Sequence, residues 1–459
     1  MNLLIKNGKI VLEDKVINGD ILVENGKIKD IGNFVTDCKS IKTIDASGNF
    51  VFPGLIDVHT HFNIDVGIAK SVDNFYTGTL AAAVGGTTTI VDHMGFGPKG
   101  CNLSHQLDVY LEYAKDSCID YGFHGVVQHI DDEVLKDMEN LIERGLTSYK
   151  IYLTYDYKLS DYEVLKILER AKELNLIVCV HPEIDGVIHF FKDKFVSDGN
   201  LSPIYHEKAR PFAVESEAIS KMASFSYMLG DVPLYIVHLS NEQGLFEVNK
   251  WRDRGLSNIF VETCPQYLFL DESKYLEDDG IKYILSPPLR NKSNNQPLLN
   301  GLNNGDIQCV GTDHCSFDYL GDKQLGKDNF TKCPNGMSGV ETRGILMFSE
   351  VVKGNLDIHS FVNTCSTNPA KLFGLDKKGV IKVGNDADLV IASNIGKSRI
   401  KHSSLHENVD YTPYENIEVY GKFLYTISRG EIVAKDNNFV GKKGYGKYIN
   451  RSLSNYNKV

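Results

Sequence analysis

The sequence predicts an α/β protein, a TIM-like (β/α)8 barrel with a small β-sandwich domain built from both termini. Short alternating strands with hairpin signals occupy the two ends of the chain, whereas the middle alternates apolar strands with amphipathic helices. A chain of 459 residues is long enough for one such barrel and a smaller domain.

Both termini have the pattern of small β-structure. Residues 3–32 contain Asn7-Gly8 and Asn25-Gly26, dipeptides that favour tight hairpins between alternating strands. Residues 379–435 return to short strands of the same kind. We therefore expect three parts: a β-sandwich domain (residues 1–50 plus 379–435), a catalytic barrel (residues 51–378) and a C-terminal tail (residues 436–459).

The middle of the chain alternates between strands and helices. In one clear helix Ser160 and Glu163 form a capping-box pair, and apolar residues then line one face. Eight strands with intervening helices over roughly 320 residues match a (β/α)8 barrel. The alternative, a doubly wound open sheet, is disfavoured because no Gly-rich fingerprint follows the first strand. The expected strands lie near residues 51–58, 87–93, 122–128, 148–153, 176–181, 233–238, 258–263 and 307–313.

The composition excludes several classes of partner. A formal charge of −11 argues against a nucleic acid or an anionic membrane, since either requires a basic face. No apolar run approaches 18 residues and the N-terminus lacks a signal-peptide profile, so we expect a cytoplasmic protein. Nine cysteines without a CxxC pair indicate buried thiols in a reducing compartment. Residues 441–459 hold five Lys or Arg and no acid, which we interpret as a tail packed at a subunit interface.

Metal-ligating side chains follow the ends of several predicted strands. His59 and His61 are two residues apart on one strand and so share a face, while His181 and His238 each close a separate strand and Asp313 closes the last. In a barrel these strand ends meet at one rim. Four imidazoles and a carboxylate are too many for one tetrahedral ion, so the pattern predicts two divalent metal ions.

Lys150 lies in the apolar strand TSYKIYLTYD. A buried ammonium at this position would be costly, and the alternative is that the side chain points outward into water. Two divalent ions carry four positive charges, whereas Asp313 and a bridging hydroxide neutralise only two. A deprotonated lysine amine adds CO₂ and becomes a carbamate, with one negative charge and an oxygen for each ion. We therefore hypothesise that Lys150 is N6-carboxylysine and bridges the metals.

Other polar residues near these strands are interpreted as supporting residues. Asp57 is in phase with His59 and His61 and is expected to orient a ligand. Four further histidines are interpreted either as structural residues or as residues that support the metal ligands without binding the ions: His93, His124, His129 and His314.

The motifs GLIDVHTHF, VHPE, VHLS and GTDHCSF, with the strand lysine, resemble the cyclic amidohydrolases: dihydropyrimidinases, hydantoinases, allantoinases and dihydroorotases. The resemblance runs through essentially the whole chain. VETCPQYLFLDE, ILSPPLRNK and CPNGMSGVETR are similar to the hydantoinase/dihydropyrimidinase branch, and FNIDVG and DHMGFGP look closest to bacterial D-phenylhydantoinases.

The resemblance implies metal-dependent hydrolysis of the cyclic amide of 5-substituted hydantoins, giving N-carbamoyl amino acids. It implies Tyr155 as the residue that assists at the substrate carbonyl, Asp313 as the proton-transferring residue, and backbone groups of Ser286 and Asn335 as holders of the ring amide. Family members typically carry zinc, sometimes manganese, and form homotetramers. The implied metal ligands are His59, His61, His181, His238, Asp313 and carboxylated Lys150.

Three other functions remain as alternatives. A dihydropyrimidinase acting on dihydrouracil or dihydrothymine fits the same residues, and an allantoinase fits them less well. A non-catalytic scaffold of the same fold is disfavoured by the complete ligand set. Loops 62–67 and 93–100 form an apolar cup for an exocyclic group or are ordinary packed loops; their apolar residues are Phe62, Ile64, Val66 and Phe96.

Overall fold

The computed structural model describes residues 2–34 and 41–459, and the strands of this part form two sheets. One sheet combines strands from both termini, and the other is a parallel barrel formed by the middle of the chain. The strands are β1 (Asn2–Val11), β2 (Val16–Glu24), β3 (Lys27–Gly32), β4 (Lys42–Asp45), β5 (Phe50–Pro53), β6 (Leu55–Thr60), β7 (Thr87–His93), β8 (Asp120–Val126), β9 (Ser148–Tyr152), β10 (Ile177–His181), β11 (Leu234–Ile236), β12 (Ile259–Thr263), β13 (Cys309–Val310), β14 (Leu389–Arg399), β15 (Glu418–Ser428), β16 (Glu431–Lys435) and β17 (Asn438–Phe439).

The terminal sheet joins the two ends of the chain through β5, which pairs with β1 on one side and β14 on the other. Its interior is a cluster of buried aliphatic residues from both termini, including Leu3, Ile21 and Leu389. Asn25 and Gly26 both have positive φ, 53° and 79°, as a tight hairpin between β2 and β3 requires. The hairpin expected at Asn7-Gly8 is wrong: β1 continues through this dipeptide, and its register against β2 shifts there.

The barrel strands pair in chain order from β6 to β13. A parallel bridge between Thr60 and His314 brings the last strand segment against the first and closes the barrel. The predicted fold class is thereby confirmed. The strand expected over residues 51–58 is divided between two sheets, because β5 pairs in the terminal sheet and β6 begins the barrel. The last barrel strand is shorter than the expected 307–313, since the chain leaves the ladder after Val310.

Helices cover the outside of the barrel between its strands. The helix predicted from the capping box begins as expected: Ser160 is the N-cap, and the Glu163 carboxylate accepts the Ser160 N–H at 2.7 Å. The helices are α1 (Phe75–Val84), α2 (Leu103–Tyr113), α3 (Asp132–Asn140), α4 (Asp161–Leu174), α5 (Asp185–Ser197), α6 (Ile204–Lys208), α7 (Phe212–Met228), α8 (Glu242–Arg252), α9 (Pro265–Phe269), α10 (Asn295–Asn304), α11 (Thr342–Lys353), α12 (Ile358–Val362) and α13 (Asn368–Leu372).

The C-terminal segment packs on the barrel of its own chain. Arg451 is buried and donates to the Ser148 hydroxyl at 3.0 Å, and the Lys447 N–H donates to Asp120 at 2.9 Å. Contact of this segment with another subunit, and the division of the chain at residues 50, 378 and 435, stay predictions.

The structure also bears on the expected buried thiols and on the expected lack of a membrane-spanning segment. Eight cysteines in the described part are free thiols; seven are buried and Cys101 is half-buried, while Cys38 lies outside the described residues. None of the helices in residues 2–34 and 41–459 is long and apolar enough to span a membrane.

Candidate metal centre and active site

The ends of the first and last barrel strands bring three of the predicted ligands together. His59 lies in β6, His61 follows it by two residues, and Asp313 follows β13. The Nε2 atoms of both histidines lie 3.1 Å from Asp313 Oδ1. The three residues are therefore close enough to share one metal ion.

The other two predicted histidines form a second pair. His181 ends β10 and His238 lies two residues beyond β11. Nε2 of His238 faces Nδ1 of His181 at 2.9 Å. The rings of His59 and His238 lie 5.5 Å apart between centroids, so the two groups of ligands adjoin each other.

Three of these rim residues have left-handed backbone conformations. The φ angles are 73° at Tyr155, 42° at His238 and 53° at Asp313. Residues other than glycine pay conformational free energy for this region, and such strain concentrates at functional sites. At all three positions the chain turns out of a barrel strand and directs a side chain toward the rim.

Lys150 lies in the middle of β9 and is 1% exposed. In the described part of the chain its ammonium has no salt bridge and no hydrogen bond, and it lies 5.3 Å from the Tyr152 ring centroid. Burial lowers the pKa of Lys150, which favours the neutral amine. The neutral amine is the form that reacts with CO₂.

The chemistry of these residues fits a pair of divalent cations. Burial lowers the pKa of His61 to about 4 and also lowers that of His181, so both imidazoles are neutral, as metal ligands must be. Although burial opposes it, Glu262 and Asp313 raise the pKa of His59 to about 9, so this position attracts positive charge. His238 Nδ1 has no hydrogen-bond partner in the described part. Imidazole nitrogen with carboxylate oxygen is a donor set suited to zinc or manganese.

Two buried glutamates that sequence reasoning missed hold the histidine rings. Glu262 on β12 accepts from His59 Nδ1 at 2.6 Å and from the His238 N–H at 3.1 Å. Glu183 contacts His181 Nε2 at 2.7 Å and accepts from Arg210 at 2.6 Å. Burial opposes ionisation of Glu183, but Arg210 and His181 bring its pKa down to about 2. Carboxylates that orient imidazoles in this way fix the tautomer of a metal ligand.

Two sequence features could have indicated these glutamates. Glu262 is an acid inside the apolar run IFVET, just as Lys150 is a base inside SYKIY. Glu183 follows His181 by two residues in the motif VHPE. The partner of Glu183, Arg210, lies between α6 and α7, 27 residues farther along the chain, so the sequence spacing did not indicate it.

Asp57 supports the centre through the backbone rather than through a ring. Its carboxylate accepts from the N–H of His59 at 3.1 Å and from the Thr312 hydroxyl at 2.7 Å. It therefore ties β6 to the segment that carries Asp313.

The four histidines interpreted as structural or as supporting the ligands have different surroundings. His314 contacts Asp73 at 3.0 Å, and His124 contacts Ser148 at 2.7 Å and the Val58 carbonyl at 3.0 Å. His129 is near the surface beside Asp131. His93 is buried among the rings of His59, His61 and His124, and both of its nitrogens lack a partner in the described part.

The three predicted substrate-binding residues meet at the wall of the same pocket. Burial raises the pKa of Tyr155 to about 12, against the opposing influence of Arg210, Ser286 and Asn335 nearby, so its hydroxyl is protonated at neutral pH. In residues 2–34 and 41–459 neither the Asn335 N–H nor the Ser286 carbonyl has a hydrogen-bond partner. One unused donor and one unused acceptor therefore belong to residues that line the pocket.

The pocket has a volume of about 390 Å³ and contains all six predicted ligands in its lining. Ile64, Val66 and Phe96 form part of its apolar wall, and the Phe96 ring stacks on Tyr157 with centroids 3.5 Å apart. Phe62 does not belong to this wall: it is fully buried and packs against the rings of Phe75 and His314. The sequence could not separate them, because all four apolar residues lie in the same two loops.

Comparison with known proteins places this geometry in context. A model of the amidohydrolase family matches residues 50–433. A D-phenylhydantoinase from Escherichia coli O1:K1 is 47% identical over 454 residues, 98% of each chain. The solved dihydropyrimidinase from Brevibacillus agri NCHU1002 superposes with a TM-score of 0.96 at 39% identity, over 99% of both chains. A solved D-hydantoinase also gives a TM-score of 0.96, at 41% identity and the same coverage.

Proposed function

Because the chain belongs to the amidohydrolase family, we propose that it hydrolyses the ring amide of 5-substituted hydantoins and releases N-carbamoyl amino acids. One observation carries the proposal: a two-part cluster of buried ligands shares a pocket with an unused backbone donor and an unused acceptor. A cyclic imide offers the complementary pair, a ring N–H beside a carbonyl.

We propose that two divalent ions, zinc or alternatively manganese, occupy the cluster. His59, His61 and Asp313 would hold one ion, and His181 and His238 the other. Carboxylated Lys150 would bridge them, since its buried amine adds CO₂ with loss of a proton and gains a negative charge. When bound, the ions would lower the pKa of a water molecule and polarise the ring carbonyl.

The residues of the chain supply proton transfer and orientation. Asp313 accepts the proton of the attacking water and returns it to the leaving ring nitrogen. The Tyr155 hydroxyl, protonated because of its raised pKa, donates to the oxygen of the attacked carbonyl. The Ser286 carbonyl accepts the ring N–H, and the Asn335 N–H donates to the second ring carbonyl. Together these hydrogen bonds hold the imide ring in one orientation for attack at the other carbonyl.

The D-phenylhydantoinase similarity supports a hydantoin with an aromatic or apolar substituent, and Ile64, Val66 and Phe96 offer an apolar wall for it. A second candidate is a dihydropyrimidinase, supported by the 39% identical dihydropyrimidinase structure. We further propose a cytoplasmic homotetramer. The location is supported by the eight free thiols of the described part, since oxidising compartments favour disulfides.

The proposal is tested by assaying the metal-replete enzyme on 5-phenylhydantoin, dihydrouracil, allantoin and dihydroorotate. We expect kcat/KM for 5-phenylhydantoin to exceed that for dihydrouracil by about tenfold or more, equivalent to one well-packed apolar contact. A preference for dihydrouracil would assign the second candidate instead. A protein that hydrolyses none of the four would contradict both.

Lys150→Ala tests the bridging role in the same assay. We expect the loss of about three orders of magnitude in kcat and a fall in bound metal below two per chain, because the ions lose their shared anion. Bound metal is measured by plasma mass spectrometry, with Lys166→Ala on the exposed face of α4 as the control. Partial rescue by short carboxylic acids supports the carbamate, whereas full activity of Lys150→Ala would rule it out.

A further inference from the structure

Lys323 is a fully buried lysine whose ammonium has no anionic partner in the described part of the chain. It donates to two backbone carbonyls, that of Ile284 at 2.7 Å and that of Pro334 at 2.8 Å. The Phe317 ring centroid lies 6.0 Å away. Burying a positive charge against neutral carbonyls is costly. We therefore expect the Lys323 ammonium to have a function that compensates for this cost.

The two carbonyls belong to the two segments that carry the proposed ring-holding residues. Ile284 precedes Ser286 by two residues, and Pro334 directly precedes Asn335. The Ile284 carbonyl also accepts the Gly336 N–H at 3.0 Å, and His206 donates to the Leu285 carbonyl at 2.7 Å. The ammonium is thus the central link of a small network that fixes one segment against the other.

The contact with Pro334 has an electronic consequence. The Pro334 carbonyl and the Asn335 N–H are opposite ends of one peptide group. A positive charge at the carbonyl oxygen polarises that peptide and makes its N–H a stronger donor. The Asn335 N–H is also the donor without a partner in residues 2–34 and 41–459, beside the pocket.

We propose that Lys323 is a positioning residue that holds the two ring-binding segments at their working separation and strengthens the hydrogen bond from the Asn335 N–H to the unattacked ring carbonyl. The inference rests on the proposed function. It assigns Lys323 to recognition of the imide and not to the attack on it. Loss of the ammonium therefore affects substrate binding more than the chemical step.

The first test compares Lys323→Met with Lys327→Met, the same change at an exposed position of the same segment. We expect Lys323→Met to raise the KM for 5-phenylhydantoin about tenfold, the effect of one charge-assisted hydrogen bond, and to change kcat less than about threefold. Bound metal stays at the wild-type level and Lys327→Met behaves as wild type. A fall in kcat and metal content with KM unchanged would overturn the inference.

A second test distinguishes the hydrogen bond from a general structural role. Replacing the unattacked ring oxygen by sulfur, as in 5-phenyl-2-thiohydantoin, weakens the acceptor. The quantity compared is the factor by which KM rises when sulfur replaces the ring oxygen. If Lys323 acts through the Asn335 N–H, this factor is at least about threefold smaller in Lys323→Met than in wild type, because the two changes weaken the same hydrogen bond. Equal penalties in both proteins would overturn the proposal.

Lys323→Gln replaces Lys323→Met in this cycle if the methionine variant does not fold, since an amide keeps donors at the position and removes only the charge. Failure of the proposed function has a different signature. A wild-type enzyme that hydrolyses no hydantoin overturns both proposals. If the enzyme is active but the effects of the Lys323 substitution and of the sulfur replacement simply add, only the role of Lys323 is overturned.

Discussion

Three lysines are buried in the described part of the chain, and each meets a different environment. Lys378 contacts carboxylates, Lys323 contacts two backbone carbonyls, and Lys150 contacts neither. A buried ammonium needs an anion or several hydrogen bonds to offset its lost hydration. Burial lowers the pKa of both Lys150 and Lys323, but Lys323 keeps two carbonyl partners for its ammonium, whereas Lys150 has none in the described part.

Glu407 is a buried carboxyl beside His314 whose charge is also disfavoured. Burial raises its pKa to about 7, and the nearby carboxyls of Glu341 and Asp73 add to the effect while His314 opposes it. One carboxylate oxygen accepts the Glu341 N–H at 3.1 Å, and the other has no partner in the described part. The folded protein therefore holds this proton more tightly than the unfolded chain does.

The pH dependence of stability follows from this difference. The stabilising contribution of Glu407 is fully present below about pH 4.5, the ordinary pKa, and is lost as the pH rises through about 7. We expect Glu407→Gln, which stays neutral, to flatten the fall in the free energy of unfolding between pH 5 and 8 by roughly 3 kcal/mol. Urea unfolding of both metal-free proteins across this range measures the slopes. Parallel curves would contradict the assignment.

At the scale of elements, the loops after β6 and β7 form part of the apolar pocket wall. Removing Ile64 or Phe96 deletes roughly 50 Å² of apolar contact, worth about 1.3 kcal/mol or about tenfold in affinity. We expect Ile64→Ala and Phe96→Ala to raise the KM for 5-phenylhydantoin about tenfold and to leave that for dihydrouracil within about twofold. Steady-state kinetics on the two substrates test this prediction. Equal increases in KM for both substrates would argue against an apolar cup.

Phe62 provides the matched control in the same loop. Its side chain is buried behind the pocket against Phe75, so Phe62→Ala should lower the free energy of unfolding by about 3–5 kcal/mol. We expect no change in the ratio of activities on the two substrates. A changed ratio would place Phe62 in the pocket wall after all.

The same elements explain what the sequence could and could not predict. Strand β10 is a continuous apolar run that ends in a histidine, so the strand end and the strand order were enough to bring His181 to the rim. Asp313 and His238 lie beyond their strands at positive φ, and only the position of the strand end, not the side-chain direction, was predictable. Glu262 was missed because it contacts His59 across the closed barrel, 203 residues away in sequence.

At the scale of the whole molecule, a buried cluster of charges connects the terminal sheet to the barrel. Lys378 donates to Asp120 of β8 at 2.8 Å and to Asp388 at 2.5 Å, and it lies 3.2 Å from Asp386. Arg429, directly after β15, also donates to Asp120, at 3.1 Å. Asp120 of the barrel and the two carboxylates just before β14 therefore contact the same ammonium, and the pKa of Lys378 is raised because these carboxylates outweigh its burial.

Removing that ammonium should destabilise the junction while leaving the metal centre intact. Lys378→Met leaves carboxylates buried without their main partner, and we expect a loss of about 3–5 kcal/mol in the free energy of unfolding. Lys377→Met, the same change at the exposed neighbouring residue, should have no effect beyond about 0.5 kcal/mol. Adding Asp388→Asn to Lys378→Met should restore part of the loss, because one uncompensated charge is removed together with its repulsion of Asp120. Chemical denaturation of the four proteins measures these differences, and metal content reports on the rim. A double variant no more stable than Lys378→Met alone would mean that the lysine acts through packing of its aliphatic chain and not through its charge.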